Sequence, residues 1–433
     1  MTERIGASWG RPAPNQQSMT YLVDRFQASE LIQRQKKPIL PYGFGSSYGD
    51  VCLNQSGTLI SCQWLDKLIE FDNQKGKLRC EAGVTVGEIQ QFAMAHGWCL
   101  AVSPGSQWIS VGGAIANDVH GKNHHRQGTF GCHVIDLKLV RSDGTTLDCS
   151  QEENADMFAA TIGGLGLTGI IIESTLQLIP CRSYYLSQEK IPFKSLAHFF
   201  ELADSSEKDW DYTVAWLDCV TRKAGRGVFM RANFLREMRP LKLKSAFDLP
   251  YPFKGNLINR PVNRFMAAAI FNKNRFNQQS VKDYVSFFYP LDRLKHWSKF
   301  YGHQGMYQFQ CVIPYGNRLA GLQQLLDKIK SSGLGGFISV LKTFSAKSSP
   351  GLLSFPMHGV TLAVDFAANE KERNLLVNLT QQVVDMGGRI YTAKDALMPA
   401  ACFQLSYPGL KKFQAFRDPG ICSNFSNRVM DEV

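Results

Sequence analysis

SPGSQWISVGGAIANDVHGKNHHRQGTFG, residues 103–131, carries six glycines, one proline, three histidines and one lysine, with little bulky apolar surface. A segment so composed adds little to a core, and its backbone is predicted to lie against a ligand. Pro104-Gly105-Ser106 and Gly112-Gly113 allow close approach of main chain, because glycine lacks a Cβ and reaches positive φ at little cost. His120, Lys122, His124 and His125 bring titratable groups to the same place. The stretch reads as a cradle with chemistry attached.

The surrounding chain is an ordinary globular one. With 433 residues, 44% of them hydrophobic and 20% charged, it has length for two or three domains of roughly 100 to 200 residues. The 11 cysteines form no C-x-x-C pair, so neither a disulfide framework nor a zinc site of familiar spacing is expected. No signal-like apolar segment opens the chain, and no run approaches the roughly 18 apolar residues of a membrane span. A soluble, cytoplasmic protein is the expectation. The formal charge is +11, and much of it is concentrated. Between Phe234 and Gln278 stand Arg236, Arg239, Lys242, Lys244, Lys254, Arg260, Arg264, Lys273 and Arg275 against Glu237 and Asp248 alone. Four prolines and several apolar residues interleave with them, which suits an irregular basic flap near 234–278. Such a flap is either a peripheral contact with an anionic headgroup or phosphate, or a solvated loop. No nucleic-acid-binding module accompanies it.

Upstream of the cradle, a short strand at Pro38 to Leu40 delivers Gly43-Phe44-Gly45-Ser46-Ser47-Tyr48-Gly49-Asp50. That loop reads as a nest of backbone N–H groups suited to a pyrophosphate, or as a plain turn. Strands follow at Leu59 to Cys62 and Lys77 to Ala82. A helix is then signalled by a Thr85/Glu88 capping box and stopped by Gly97. After the cradle, Val134 to Val140 and Thr145 to Asp148 read as a hairpin, and Asp156 to Thr161 as a short helix. Residues 164–169 satisfy G-x-G-x-x-G. A dinucleotide fingerprint must follow a strand and open a helix, whereas here a helix precedes and Ile170-Ile171-Ile172 continue as strand. A Rossmann domain is therefore rejected, and the glycines remain as a second close approach to the same cofactor.

Near Pro180 the glycine-rich character ends. Strands are predicted at Thr213 to Leu217, Gly227 to Phe234, Gln308 to Ile313, Ser339 to Phe344 and Val360 to Phe366. Gln308 and Gln310 share one strand face, as do Thr361, Ala363 and Asp365. That polar face suits a hydroxylated substrate, or simply a wetted side of an antiparallel sheet. Asn369 with Glu372 starts the last long helix, and the strand Arg389 to Thr392 presents Lys394 and Asp395. The lysine is either paired with Asp395 or held for function. His120, His124, His125 and His133 invite a metal reading, but Gly121 and Asn123 argue against the helix that would join the first two, and no metal is expected.

With these residues in view, the chain resembles the FAD-linked oxidases of the vanillyl-alcohol-oxidase type (PCMH-type FAD-binding), and among them the decaprenylphosphoryl-β-D-ribose oxidases, the flavin subunits of a 2′-epimerase. The likeness runs nearly end to end. It rests on Ser8-Trp9-Gly10-Arg11, the 43–50 loop, Val111-Gly112-Gly113-Ala114-Ile115-Ala116, His120-Gly121-Lys122-Asn123-His124-His125, Gly166-Leu167-Thr168-Gly169, Phe288-Tyr289-Pro290-Leu291-Asp292, Tyr307-Gln308-Phe309-Gln310 and Tyr391-Thr392-Ala393-Lys394-Asp395. The resemblance implies an α+β protein. Residues 1–182 would form an FAD-binding domain of two α+β subdomains, 183–388 an antiparallel-sheet substrate domain with flanking helices and the basic flap, and 389–433 a segment returning to the FAD domain. FAD would lie against Gly43, Phe44, Gly45, Ser46, Ser47, Tyr48, Pro104, Gly105, Ser106, Ser110, Gly112, Gly113, Ala116, Asn117, His120, Gly121, Leu165, Gly166, Gly169, Ile171, Tyr391 and Ala393. Many relatives attach FAD through a histidine where this chain has Ser46, so a non-covalent flavin is expected. The ribose-oxidase branch carries a cysteine facing the flavin where this chain has Ala363.

The implied reaction is oxidation of a secondary hydroxyl of a sugar by hydride transfer to the flavin, on a polyprenyl-phosphate pentose or related phosphoglycosyl substrate. A soluble alditol or aldonolactone oxidase and a flavin-binding partner subunit without turnover are the alternatives, and a short-chain reductase is a candidate partner. A base must take the hydroxyl proton. Lys394 and His120 are the candidates for base and orienting group, with Tyr48 beside them, and a lysine can serve only where burial lowers its pKa. Lys122, Gln308, Gln310, Lys342, Ala363 and Lys394 are the candidates for contact with the sugar or phosphate, with Trp297 as a wall.

Overall fold

The computed structural model describes residues 6–11, 17–237, 239–242, 247–248, 259–295 and 297–430. The fold is α+β, as expected, and is built on three main sheets. Ser18–Tyr21, Thr58–Ser61 and Ile39–Tyr42 form a parallel three-stranded sheet with Thr58–Ser61 in the middle. A six-stranded antiparallel sheet follows, organised on Ile170–Pro180. That long strand pairs with Lys77–Glu81 on one side and Val134–Val140 on the other, and its far end takes Trp98–Leu100. Val134–Val140 continues as the expected hairpin into Thr146–Ser150.

The helix Val86–Ala95 carries the capping box: Glu88 N–H donates to Thr85 Oγ1 (3.2 Å) and Thr85 N–H to Glu88 Oε2 (2.8 Å). A cap of this kind contributes about 1 kcal/mol. Arg25 joins the two small sheets. It follows the strand Ser18–Tyr21 and reaches Glu81 (2.7 Å) and Glu173 (3.0 Å), both nearly buried on neighbouring strands of the six-stranded sheet.

The third sheet has eight strands, all antiparallel, in the order Gln278–Asp283, Tyr185–Phe193, Gly227–Phe234, Tyr212–Leu217, Ser339–Phe344, Gly359–Ala367, Met306–Pro314 and Arg389–Ile390. Its strands Tyr212–Leu217 and Gly359–Ala367 are nearly all buried, and the helices Leu196–Ser206, Arg318–Ser332 and Glu370–Asp385 supply apolar residues to the same core. Arg389–Ile390 is the last strand of this sheet, after which the chain crosses back, and Ile421 bridges Ile39 of the parallel sheet.

The basic segment departs from the irregular flap expected over 234–278. Arg260–Lys273 is an α-helix capped by Asn259, whose Oδ1 accepts from Val262 N–H (3.1 Å), with Pro261 in its first turn. Proline there loses no helical hydrogen bond, so it starts a helix where a reading of prolines as breakers sees a loop. Residues 238, 243–246 and 249–258 of the flap lie outside the described residues.

Candidate active site

A cleft of about 400 Å³ runs where the three sheets meet. One wall comes from the loop after Ile39–Tyr42, namely Gly43, Phe44, Gly45, Ser46, Ser47 and Tyr48. The cradle supplies the floor through Pro104, Gly105, Ser106, Ser110, Gly112, Gly113, Ala116, Asn117 and His120. Leu165, Gly166, Gly169 and Ile171 add a second glycine turn, with Leu165 at φ +60° and Gly166 at +75°. The eight-stranded sheet closes the cleft with Gln308, Gln310, Lys342 and Ala363, and Tyr391, Ala393 and Lys394 complete it.

The glycines differ in what they serve. A Cβ on Gly43 would meet Ser110 Oγ at 2.5 Å, and one on Gly49 would sit 1.5 Å from the Asp395 carbonyl oxygen. These are glycine because the protein packs there. Gly105 lines the cleft yet a Cβ on it would meet nothing within 4 Å, and its backbone needs no positive φ. No contact within the protein requires a glycine there. Asn117 adds a second such sign. Its Nδ2 donates to the Gly113 carbonyl (3.0 Å), while its buried Oδ1 has no donor among the described residues. A long cleft floored by backbone, with an unmet acceptor in its wall, fits a dinucleotide such as FAD. The loop is braced from outside the cradle: Gln107 N–H donates to Asp292 Oδ2 (2.7 Å), and Ser103 and Tyr289 share a hydroxyl hydrogen bond (2.7 Å).

The reactive end gathers side chains from widely separated parts of the chain. Lys394, on the turn Thr392–Lys394, places its ammonium 3.5 Å from the centre of the Tyr48 ring. Burial pushes its pKa down to about 7, and the Asp365 carboxylate alone works the other way. It is not paired with its neighbour. Asp395 instead accepts from Arg428 (2.9 Å) and from the N–H groups of Leu397 and Met398. Lys342 donates to His120 Nδ1 (2.8 Å) and to the Gly121 carbonyl (2.9 Å), and burial followed by repulsion from Lys122 and Lys394 brings it also to about 7.

Burial and the lysines hold His120 well below its ordinary pKa, so the ring is neutral. Gln310 Nε2 stands 3.0 Å from His120 Nε2 and donates to the Thr361 hydroxyl (3.2 Å) on the neighbouring strand. Phe344, Phe355 and Tyr391 box the imidazole with ring centres 5.0, 5.8 and 5.4 Å away.

Asp365 is the residue that sequence reasoning passed over, naming it only as sharing a strand face. It stands opposite Gln308 in the sheet, and Gln308 Nε2 donates to its Oδ1 (2.6 Å). Its Oδ2 is buried with no partner among the described residues, and burial pushes the carboxyl up to about 7. A carboxyl inside a Val-Asp-Phe strand is itself the signal, since a buried acid needs a partner or a task.

Three residues named from the sequence stand apart. Lys122 is directed away from the cleft. It donates to the carbonyls of Phe287 and of Phe288 (3.2 Å) at the end of the helix Tyr284–Phe288, where free carbonyls await a cation. Gly121 lies behind His120, giving its carbonyl to Lys342. Trp297 opens the segment Trp297–Gln304, but its side chain lies outside the described residues. Asp118 accepts from Ser349 and Ser354 (both 2.5 Å) and from Gly131 N–H (2.8 Å), and His125 and His133 hydrogen-bond to carbonyls. Among the described residues no three His, Cys, Asp or Glu side chains converge as metal ligands would.

Comparison with known proteins adds four likenesses. Residues 27–150 match the family model described as an FAD binding domain. The chain is 30% identical to the decaprenylphosphoryl-β-D-ribose oxidase of Mycolicibacterium smegmatis, over 96% of this chain and 94% of that protein. It is 29% identical to the L-gulonolactone oxidase of Mus musculus over 42% of this chain and 40% of that one, and 24% identical to the Delta(24)-sterol reductase of Macaca fascicularis over 58% and 44%.

Proposed function

This chain belongs to the FAD-linked oxidases, the family of the decaprenylphosphoryl-β-D-ribose oxidase, and from that premise we propose that it oxidises a secondary hydroxyl of a phosphoglycosyl substrate, a polyprenyl-phosphate pentose being the best candidate. FAD, an oxidoreductase cofactor in this family, supplies the acceptor for the two electrons and the carbon-bound hydrogen. The chain's own residues supply the rest. Lys394 is the base: with a pKa near 7 its neutral form is abundant at working pH, and the proton it takes creates a cation as negative charge grows beside it. Tyr48 underlies that amine, and Asp365 restrains the fall of its pKa. Gln308 and Gln310 offer amides to sugar hydroxyls.

The observation that carries the phosphate is the charge of the cleft. Lys342 and Lys394 face it together, and among the described residues neither lies within salt-bridge distance of a carboxylate. An anion held by Lys342 would raise the pKa of that lysine, and its gain in charge is binding energy, while Lys394 keeps its neutral form for the hydroxyl proton. A free lactone or polyol offers no such anion, which separates this reading from the second one favoured by the likeness to a gulonolactone oxidase. We also propose that the flavin is not covalently bound. Ser46 is an alcohol whose Oγ donates to the Trp108 carbonyl (3.1 Å), and the cleft thiols Cys52 and Cys62 are pushed up by burial to about 12, far from thiolate.

The test is anaerobic flavin bleaching with polyprenyl-phosphate pentoses, aldonolactones and free polyols. Bleaching by the first class, slowed at least about a hundredfold in Lys394→Ala, is the expected result. Bleaching only by neutral lactones or polyols, or an undiminished rate in the variant, overturns the reading.

A further inference from the structure

The helix Arg260–Lys273 packs on the protein through one side only. Asn263 Nδ2 donates to the Gly335 carbonyl (2.8 Å) and Ala267 is fully buried. At about 100° per residue, Pro261, Val262, Phe265 and Ala269 fall on the opposite side. Phe265 is 71% exposed, and Phe276, just past the C-terminus, 67%. Arg264 and Lys273 edge this apolar stripe, Arg260 and Arg275 stand at its ends, and no acid occurs from Asn259 to Gln278.

The positive charge is gathered in space as well as in sequence. On the adjacent strand Tyr185–Phe193, Lys190 donates to Asn274 Oδ1 (3.2 Å), and its pKa is lowered by burial and then by Lys282 and Lys273. The acids nearby are engaged: Glu189 binds Arg231 (2.7 Å), and Asp283 accepts from Ser286 N–H (2.8 Å). Single exposed apolar residues are ordinary. Two exposed phenylalanines, one on the helix and one just past it under the Arg275 guanidinium (4.9 Å), set among cations that have no carboxylate partner among the described residues, are not, because both features are satisfied together at a charged interface with an apolar layer beneath. An acidic soluble partner would match the cations and leave the rings in water.

We propose that this face seats the protein on an anionic lipid surface, with Val262, Phe265 and Phe276 entering the boundary between headgroups and acyl chains and Arg264 and Lys273 meeting the lipid phosphates. The proposal does not depend on the redox reading. It is tested by floating the FAD-loaded full chain with vesicles of phosphatidylcholine alone or mixed with phosphatidylglycerol. The wild type floats with the anionic vesicles, not the neutral ones, and salt weakens the association. Arg264→Gln with Lys273→Gln lowers partition about thirtyfold, and Phe265→Ser with Phe276→Ser lowers it comparably. All four side chains are exposed, so unchanged melting temperatures certify the fold. The indole of a Phe265→Trp variant shifts blue on anionic vesicles and is quenched by brominated acyl chains. A wild type that stays with the aqueous phase overturns the proposal. So does either double variant floating like the wild type, or an indole untouched by the bromolipid.

Discussion

Lys394 and Asp365 act on each other inside a region where burial dominates both. Burial drives the lysine down and the acid up, each to about 7, and their mutual attraction resists both shifts. With Lys394 as the proposed base, which must be neutral to act, flavin reduction is expected to rise with pH through about 7 instead of the ordinary lysine range. Asp365→Asn removes the one influence holding the lysine up, so this limb should move to lower pH. Reduction rates across pH 5 to 9 read the shift, and a limb that stays in place would rule out the coupling. His124 offers a different test. Its ring packs on Phe344 with centres 4.4 Å apart, and neither nitrogen has a partner among the described residues. Burial holds its pKa at about 3, against 6.5 ordinarily. The unfolded chain therefore binds a proton that the folded one refuses, and stability present above pH 6.5 is lost as pH falls toward 3. His124→Leu should melt higher than the wild type at pH 5, by about 1 kcal/mol or more, with a smaller difference at pH 8. Identical pH dependence in the two proteins would contradict this.

At the scale of elements, the two glycine loops were legible because glycine clusters have few other uses, but which glycine serves the ligand was not. Gly105→Ala places its methyl in open cleft, so the apoprotein should melt at the same temperature while FAD affinity falls about tenfold, the cost of modest overpacking. Gly49→Ala drives a methyl into the Asp395 carbonyl and should fail to fold. Fluorescence titration with FAD and apoprotein melts distinguish the two, and equal behaviour would refute the division. Strand periodicity found five inner strands of the large sheet, since buried Val, Leu and Phe write a clear pattern. It missed Gln278–Asp283, an edge strand whose polar QQSVKD carries no such pattern, and Tyr185–Phe193, interrupted by Pro192. Lys122 turns away from the cleft, which was not legible because a lysine beside a cleft histidine looks the same in sequence whether it faces the cleft or caps a helix. His120, Lys394 and the two glutamines line one cleft, as their specific strings led one to expect, while the contact between Lys342 and His120, 222 residues apart, is visible only in three dimensions.

Across the whole molecule, the site depends on a clip that closes the chain on itself. Arg428, in the helix Asn424–Val429, grips Asp50 (2.9 Å) after the first glycine loop and Asp395 (2.9 Å) beside Lys394. Tyr48 N–H donates to the Ala393 carbonyl (2.9 Å) in the same junction. The three elements that place Tyr48 under Lys394 are thus tied by one guanidinium. Burial raises the pKa of Asp50, Arg428 lowers it, and Asp395 raises it further. Arg428→Gln leaves two carboxylates facing each other with no cation. The folded state would then bind protons more tightly than the unfolded one, so stability should fall as pH rises. A loss of about 3 kcal/mol is expected at pH 8, the cost of stranding a largely buried charge, and less at pH 5. Arg428→Lys should recover only part, because an ammonium cannot hold both acids in a fixed fork. Flavin reduction should slow in the glutamine variant even where it is folded, since the seat of Lys394 loosens. Melts at both pH values together with reduction rates test the account: a loss independent of pH, or normal reduction in a destabilised protein, would show that the clip holds the chain without setting the base.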